Sequence, residues 1–266
     1  MTLRIGISTA NLYPMNIEDT FAYLEGQGAR DVEIFVNTTS EVTKSFATML
    51  KRRAYAAGLT IRSLHSYTSC FEPYLLFSQY ERRFEDGLKV FTTIFQAAQA
   101  AGADYVILHG DRDPGVLPAA QSIRRFEKLY DLGREYGVTL LQENVVRFRA
   151  CHPEYVREMR AQLGDKAQFV LDFKQCRRTG VPIPEMIDAM SGAIRHVHIS
   201  DCTDTEDCLM PGVGQEDFPA LLRMLKESGF DGTLMIELYR RNFDKISEIS
   251  KGCATLAKAI ADISKA

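Results

Sequence analysis

The chain has 266 residues, 45% of them hydrophobic and 25% charged, and its formal net charge is −3. With a pI near 6.0 it offers no general electrostatic attraction for nucleic acid or an anionic membrane surface. No apolar run approaches bilayer-spanning length, so neither nucleic acid nor membrane is an expected partner.

The opening, MTLRIGIST, leads straight into a strand pattern and lacks the apolar core and cleavage site of a signal peptide. The six cysteines, Cys70, Cys151, Cys176, Cys202, Cys208 and Cys253, show no C-x-x-C pairing and read as free thiols of a reducing compartment. A cytoplasmic protein is therefore expected. Cys202 and Cys208 bracket an acidic loop, where a zinc clip is the alternative to two free thiols.

Short β-branched or apolar runs alternate with helical patterns throughout. The strands are predicted at 3–9, 31–37, 60–67, 105–110, 139–145, 168–172, 194–201 and 232–239. Their starts lie roughly 30 to 45 residues apart, the size of a strand-plus-helix unit. Between them, 80–103 carries Phe84, Leu88, Phe91, Phe95, Ala98 and Gln99 on one helical face, with charge opposite. A helix over 118–137 starts after Pro118 and stops at Gly137. Another over 217–229 opens on Asp217, a good N-cap, and ends at Gly229. A last helix is expected over 244–265. Eight such units predict a single closed (β/α)8 TIM barrel, one domain over 1–266. An open doubly wound sheet usually has fewer repeats and often a Gly-rich first turn, and TANLYPMN after the first strand contains no glycine.

In such a barrel the active site forms at the C-terminal ends of the strands. Strand 2 carries Glu33. Strand 3 ends in His65, and strand 4 in His109 with Asp111 following. Strand 5 ends in Glu143 and Asn144, strand 6 in Asp172, strand 7 in His198 and Asp201, strand 8 in Glu237. His196 lies two residues before His198, on the same face. A lone strand-end His or Asp is usually an ordinary hydrogen-bonded or capping residue. Acidic or imidazole ends on four consecutive strands converge, and carboxylates buried together need a cation. Glu143, Asp172, His198 and Glu237 form an O/O/O/N set suited to one divalent ion: Mn²⁺, Mg²⁺, Co²⁺ or Zn²⁺.

The succession LLQENV, FVLDFKQ, HVHISD, PGVGQEDF, LMIELY resembles the xylose-isomerase-like barrel superfamily, over essentially the whole chain. That group includes sugar isomerases and epimerases, inosose dehydratases and apurinic-site endonucleases of the endonuclease IV type. The resemblance implies a metal held by Glu143, Asp172, His198 and Glu237. In the ketose 3-epimerase branch, the glutamates matching Glu143 and Glu237 also move the proton. PGVGQEDF looks like the family's G-x-G-x-x-D-F connection into the seventh helix, and no strand precedes it closely enough for a dinucleotide fingerprint.

The nuclease branch uses three zinc ions. His65, His109 and Glu143 match its first site, but the third site needs a His where this chain has Gln175, and a D-x-H after strand 7 where it has DCTDTEDCLMPG. A metal-dependent isomerase or epimerase fits better. A metal-stabilised enediolate with Glu143 and Glu237 as proton carriers would give epimerisation or isomerisation, and loss of a β-hydroxyl would make it an inosose- or dehydroshikimate-type dehydratase. A noncatalytic sugar-binding barrel is the remaining class, and the intact four-ligand set argues against it. The expected partner is thus a small sugar-type molecule. Barrels of this family often pair, so a homo-oligomer is compatible with the resemblance, though no stretch identifies an interface.

Arg112, Arg147, Arg149, Arg177, Arg178, Arg240 and Arg241 follow strands 4, 5, 6 and 8 closely, with Lys174 among them. A ring of positive charge at the mouth would suit an anionic substrate, a sugar phosphate or sugar acid. Solvated arginines paired with nearby acids are the alternative. Expected substrate contacts are His65, His109, Lys174, Gln175, Arg149, Arg177 and Arg240. Phe35, Tyr67, Phe71 and Tyr239 are placed mostly in core packing, with an apolar site wall as the alternative.

Overall fold

A computed structural model describes residues 3–265. Its eight strands are β1 Arg4–Ser8, β2 Asp31–Phe35, β3 Thr60–His65, β4 Tyr105–Leu108, β5 Thr139–Glu143, β6 Phe169–Asp172, β7 Ile194–Ile199 and β8 Thr233–Ile236. They close in chain order into one barrel, every neighbouring pair parallel. The helices are α1 Ile17–Leu24, α2 Lys44–Ala56, α3 Glu72–Leu75, α4 Glu81–Ala101, α5 Ala119–Glu135, α6 Pro153–Leu163, α7 Phe173–Thr179, α8 Ile183–Met190, α9 Phe218–Glu227 and α10 Glu248–Ser264. This is the TIM barrel that the strand spacing predicts. Among the described residues no helix is long and apolar enough to cross a membrane.

The period-2 alternation of each strand sorts its side chains. Val106 and Leu108, Leu140, Phe169 and Leu171, Val197 and Ile199, and Leu234 and Ile236 belong to the large core between strands and helices. The alternate residues Ile107, Leu141 and Val170 form a separate small apolar cluster with Tyr105 packed against it. Two positions further along their strands come His109, Glu143 and Asp172, so an apolar plug underlies the polar layer. The register of β6 on β7 places Asp172 beside His198 directly.

Local chemistry explains the helix ends. α4 stops at Gly102, whose φ of 75° is left-handed and easy only without a Cβ. Asp217 caps α9 by accepting from the Ala220 amide at 3.0 Å. Gln99 departs from the predicted apolar face of α4: it is exposed and donates to the Tyr136 carbonyl, whereas Gly87, Ile94, Ala97 and Ala101 complete the buried face. α10 begins at Glu248, four residues later than predicted, because residues after Tyr239 form a short 3-10 turn and rim the barrel mouth.

The loop from β7 to α9 is tied by one carboxylate. Asp201 accepts from the backbone N–H groups of Cys202, Gly212, Gly214 and Glu216, at 2.8, 2.8, 3.0 and 3.0 Å. The glycines of the G-x-G motif are needed for that approach. A Cβ on Gly214 would lie 2.2 Å from the Cys202 carbonyl oxygen, and one on Gly212 2.6 Å from Thr255 Oγ1. The motif is a structural knot, not a phosphate loop.

Two stability changes are expected. Phe91 is fully buried with its ring 5.9 Å from that of Phe95, so Phe91→Ala should cost about 3–5 kcal/mol in urea unfolding. Asp201→Ala strands four amides and should cost about 2 kcal/mol or more, whereas Arg52→Ala, exposed on α2, should stay within about 0.5 kcal/mol.

Candidate metal and sugar site

The residue that ends β6 does two jobs. Asp172 Oδ1 accepts from the Gln175 amide at 3.2 Å and so caps α7, which starts at once. Its Oδ2 faces His198 Nδ1 at 3.8 Å. Because FKQCRR is helical from Phe173, Lys174 and Gln175 in its first turn are buried, while Arg177 and Arg178, one turn further along the axis, are held by Glu216 and Asp207.

Glu143, Asp172, His198 and Glu237 meet, one donor atom from each within 4.8 Å of all the others. His198 Nδ1 lies 3.1 Å from Glu143 Oε1 and 3.3 Å from Glu237 Oε2. All four side chains are buried. Lys174 Nζ sits 2.8 Å from Asp172 Oδ2 and 2.9 Å from Glu237 Oε2, so it belongs to this cluster as well as to the cavity wall. Burial opposes charge on Glu143 and Glu237, and the facing histidines, with Lys174 at Glu237, overcome it and hold both carboxyls below the ordinary range. Burial also opposes charge on His198, but Glu237 and Glu33 drive its pKa well up. Two buried oxygens, Glu143 Oε2 and Asp172 Oδ2, have no hydrogen-bond partner of acceptable geometry, despite the nearby His109 and Lys174 nitrogens. Orphaned carboxylate oxygens beside an imidazole nitrogen fit a bound divalent cation.

Outer groups fix the inner ones. Glu33 lies 3.1 Å from His198 Nε2 and accepts from Ser63 Oγ at 2.7 Å, with His196 Nε2 3.2 Å away. Such a carboxylate orients a ligating imidazole so that its other nitrogen faces the metal position. His65 and His109 sit on the other oxygen of Glu143: His109 Nε2 is 3.1 Å and His65 Nε2 3.5 Å from Oε2. Burial lowers the His65 pKa, but Glu143 outweighs it and carries it up to about 9. Those two histidines with Glu143, and Glu33 with His196 and His198, are further groups of converging donor atoms.

Glu72 was not among the strand-end candidates because it lies in α3, between β3 and α4. It is buried and accepts from the His109 and Gly110 amides, both at 2.8 Å, so it holds the end of β4 in place. Its signal in the sequence is faint: one glutamate in an otherwise apolar and aromatic segment, FEPYLLF.

Above the cluster opens a cavity of about 1120 Å³. His65, His109, Lys174, Gln175 and Arg240 line it, as the sequence places them, together with Glu143 and Glu237. Gln175 Oε1 accepts from the Val146 amide at 3.1 Å, so it also ties the β5 loop. Arg149 and Arg177 are not in that lining. Arg149 binds Asp111 Oδ2 at 2.9 Å and the Leu117 carbonyl at 2.6 Å; Arg177 pairs with Glu216 and lines a separate polar cleft beside Arg178 and Asp207. Each guanidinium is drawn off by a carboxylate distant in sequence. Phe35 and Tyr239 line the cavity instead of joining the core, Tyr67 lines it while packing against the core, and Phe71 is exposed. Cys202 and Cys208 are unpaired thiols, and no group of converging donor atoms among the described residues includes either.

Comparison with known proteins bears on the fold and the family. An uncharacterized protein of Mycobacterium tuberculosis is 24% identical over 265 residues, spanning 89% of each chain. In three dimensions the chain is similar to L-ribulose 3-epimerase, with a TM-score of 0.82 and 18% identity over 99% of this chain and 96% of the other. It is also similar to the 3-keto-D-glucoside 4-epimerase of E. coli, with a TM-score of 0.76 and 18% identity over 97% and 100% of the two chains. At these identities the structural likeness establishes the fold. A family model described as xylose isomerase-like TIM barrel matches residues 21–259. That match runs from the first helix into the last, and the chain belongs to the xylose isomerase-like TIM-barrel family.

Proposed function

We propose that the protein is a divalent-metal-dependent isomerase or epimerase acting on a sugar or sugar derivative. The observation that carries this reading is the convergence of Glu143, Asp172, His198 and Glu237 from four consecutive strands, with two buried carboxylate oxygens lacking hydrogen bonds. Lys174 pairs with two of the three carboxylates, Asp172 and Glu237, and one ammonium does not balance the three, which favours a cation among them. Mixed oxygen and imidazole donors suit Mn²⁺, Mg²⁺, Co²⁺ or Zn²⁺. The epimerases named among the solved structures support a sugar as substrate.

Held by those four residues, the ion would act as a Lewis acid toward a hydroxyl and adjacent carbonyl of the sugar and acidify the C–H beside them. The chain's own groups handle the proton. Glu143 turns Oε1 toward the donor cluster and Oε2 toward His65 and His109 on the cavity wall, so Oε2 is the oxygen on the side from which a proton of the substrate carbon would be taken. Glu237, directly after β8, is the partner acid: in its protonated form it gives a proton to the intermediate while Glu143 keeps the one it took, and exchange with solvent resets the two carboxyls. Return to the same carbon from the other face epimerises, and return to the neighbouring carbon isomerises. His65 and His109 donate to sugar hydroxyls, and Phe35, Tyr67 and Tyr239 cover the C–H faces and exclude water.

Isothermal titration with MnCl₂ should show one ion per chain, and at a free concentration of 100 times Kd it should stabilise the fold by about 2.7 kcal/mol. Asp172→Asn keeps a side-chain oxygen for the α7 cap but removes the charge, and should abolish that binding with the circular dichroism unchanged. A wild-type protein that takes up no divalent ion would sink the reading. Glu143→Gln should lower turnover about 10²- to 10⁴-fold. In D₂O the wild type should place deuterium on the product carbon without loss of water. Release of an α,β-unsaturated ketone would establish a dehydratase instead.

A further inference from the structure

The arginines at the barrel mouth divide into two kinds. Arg149, Arg177 and Arg178 are neutralised by Asp111, Glu216 and Asp207 and lie outside the cavity lining. Arg240 and Arg241 line the cavity, and among the described residues neither forms an ion pair with a carboxylate. Arg240 spends its donors on neutral groups, the carbonyls of Phe243 at 2.6 Å and Asp244 at 3.0 Å, which fixes the loop it stands on. Arg241 makes no hydrogen bond among the described residues; its guanidinium lies over the Tyr239 ring, 5.2 Å from the centroid. Lys174 Nζ lies 5.7 Å from that centroid. Asp244 is the carboxylate of the same rim, exposed and without a salt bridge to either arginine. The cavity therefore has carboxylates at its floor and two guanidinium groups against one carboxylate, Asp244, at its rim.

Arg241 stands four residues beyond Glu237 and lines the same cavity, so one molecule in it can meet both. A planar guanidinium stacked on an aromatic ring keeps its N–H edge for a phosphate or carboxylate. We propose that the substrate carries an anionic group, a phosphate or a carboxylate, at the end remote from the reacting carbon, and that Arg241 binds it. This names the substrate class of the proposed sugar site and rests on that reading. Arg240 contributes charge and holds the loop. Arg241 is the specificity determinant.

Matched polyols test this without turnover. Binding of D-sorbitol, D-sorbitol 6-phosphate and D-gluconate to the Mn²⁺-loaded protein is measured by calorimetry at low and high salt, for wild type and for Arg241→Gln. At least one anionic ligand should bind wild type about tenfold or more tighter than sorbitol, the size of a charge-assisted hydrogen bond, with the advantage shrinking in salt. Arg241→Gln should lose that advantage and leave both sorbitol and Mn²⁺ binding unchanged. Which of the two anionic ligands gains tells phosphate from carboxylate. No anionic preference in wild type, or one that survives Arg241→Gln, overturns the proposal. Failure of the underlying metal reading is distinct, because it appears as absent Mn²⁺ binding in wild type before any polyol is added.

Discussion

Like charge buried at one point governs this molecule. Glu143, Asp172 and Glu237 stand at the ends of three different strands and are pressed together at the top of the barrel, above a small apolar cluster of Ile107, Leu141 and Val170. Carboxylates removed from water repel one another far more strongly than they would in solution, so the arrangement persists only with opposite charge placed among them. Lys174 supplies one positive charge from the helix that follows β6. Much of the surrounding structure serves the same end: Glu33 and Ser63 orient the imidazoles beneath, Glu72 pins the strand that brings His109, and Asp172 caps the helix that carries Lys174.

Division of labour within single side chains is the second theme. Asp172 uses one oxygen for a helix cap and the other for the donor cluster. Glu143 presents one oxygen to His198 and the other to His65 and His109. His198 turns Nδ1 to the carboxylates and Nε2 to Glu33. Two-sided groups of this kind bring converging donor atoms and their supports into the same few ångströms of a crowded barrel mouth, and they make the site sensitive to substitutions that preserve size but alter charge.

The barrel was legible in the sequence because its signal is local and repeated. FVLD alternates Phe169 and Leu171 toward the helices with Val170 and Asp172 toward the interior, and the same rhythm recurs in the other strands. The four donors were legible for the same reason: each is the last inward residue of its strand. The arginines were not. Arg149, Arg177 and Arg178 follow strand ends closely, yet their partners lie 38, 39 and 29 residues away, and nothing near them in the chain announces the pairing. Glu72 escaped because it sits in a four-residue helix, away from any strand end. Phe35, Tyr67 and Tyr239 look like core residues by composition, and only closure of the barrel turns them toward the cavity.

The central claim is that the converging carboxylates and His198 form a cation site. Anomalous scattering from a crystal grown with Mn²⁺ tests it most directly. The account predicts one strong peak, about 2.0–2.3 Å from oxygens of Glu143, Asp172 and Glu237 and from Nδ1 of His198, with Lys174 beside it. A peak held instead by His65 and His109 away from Asp172 and Glu237, or no peak at the barrel mouth, would contradict it.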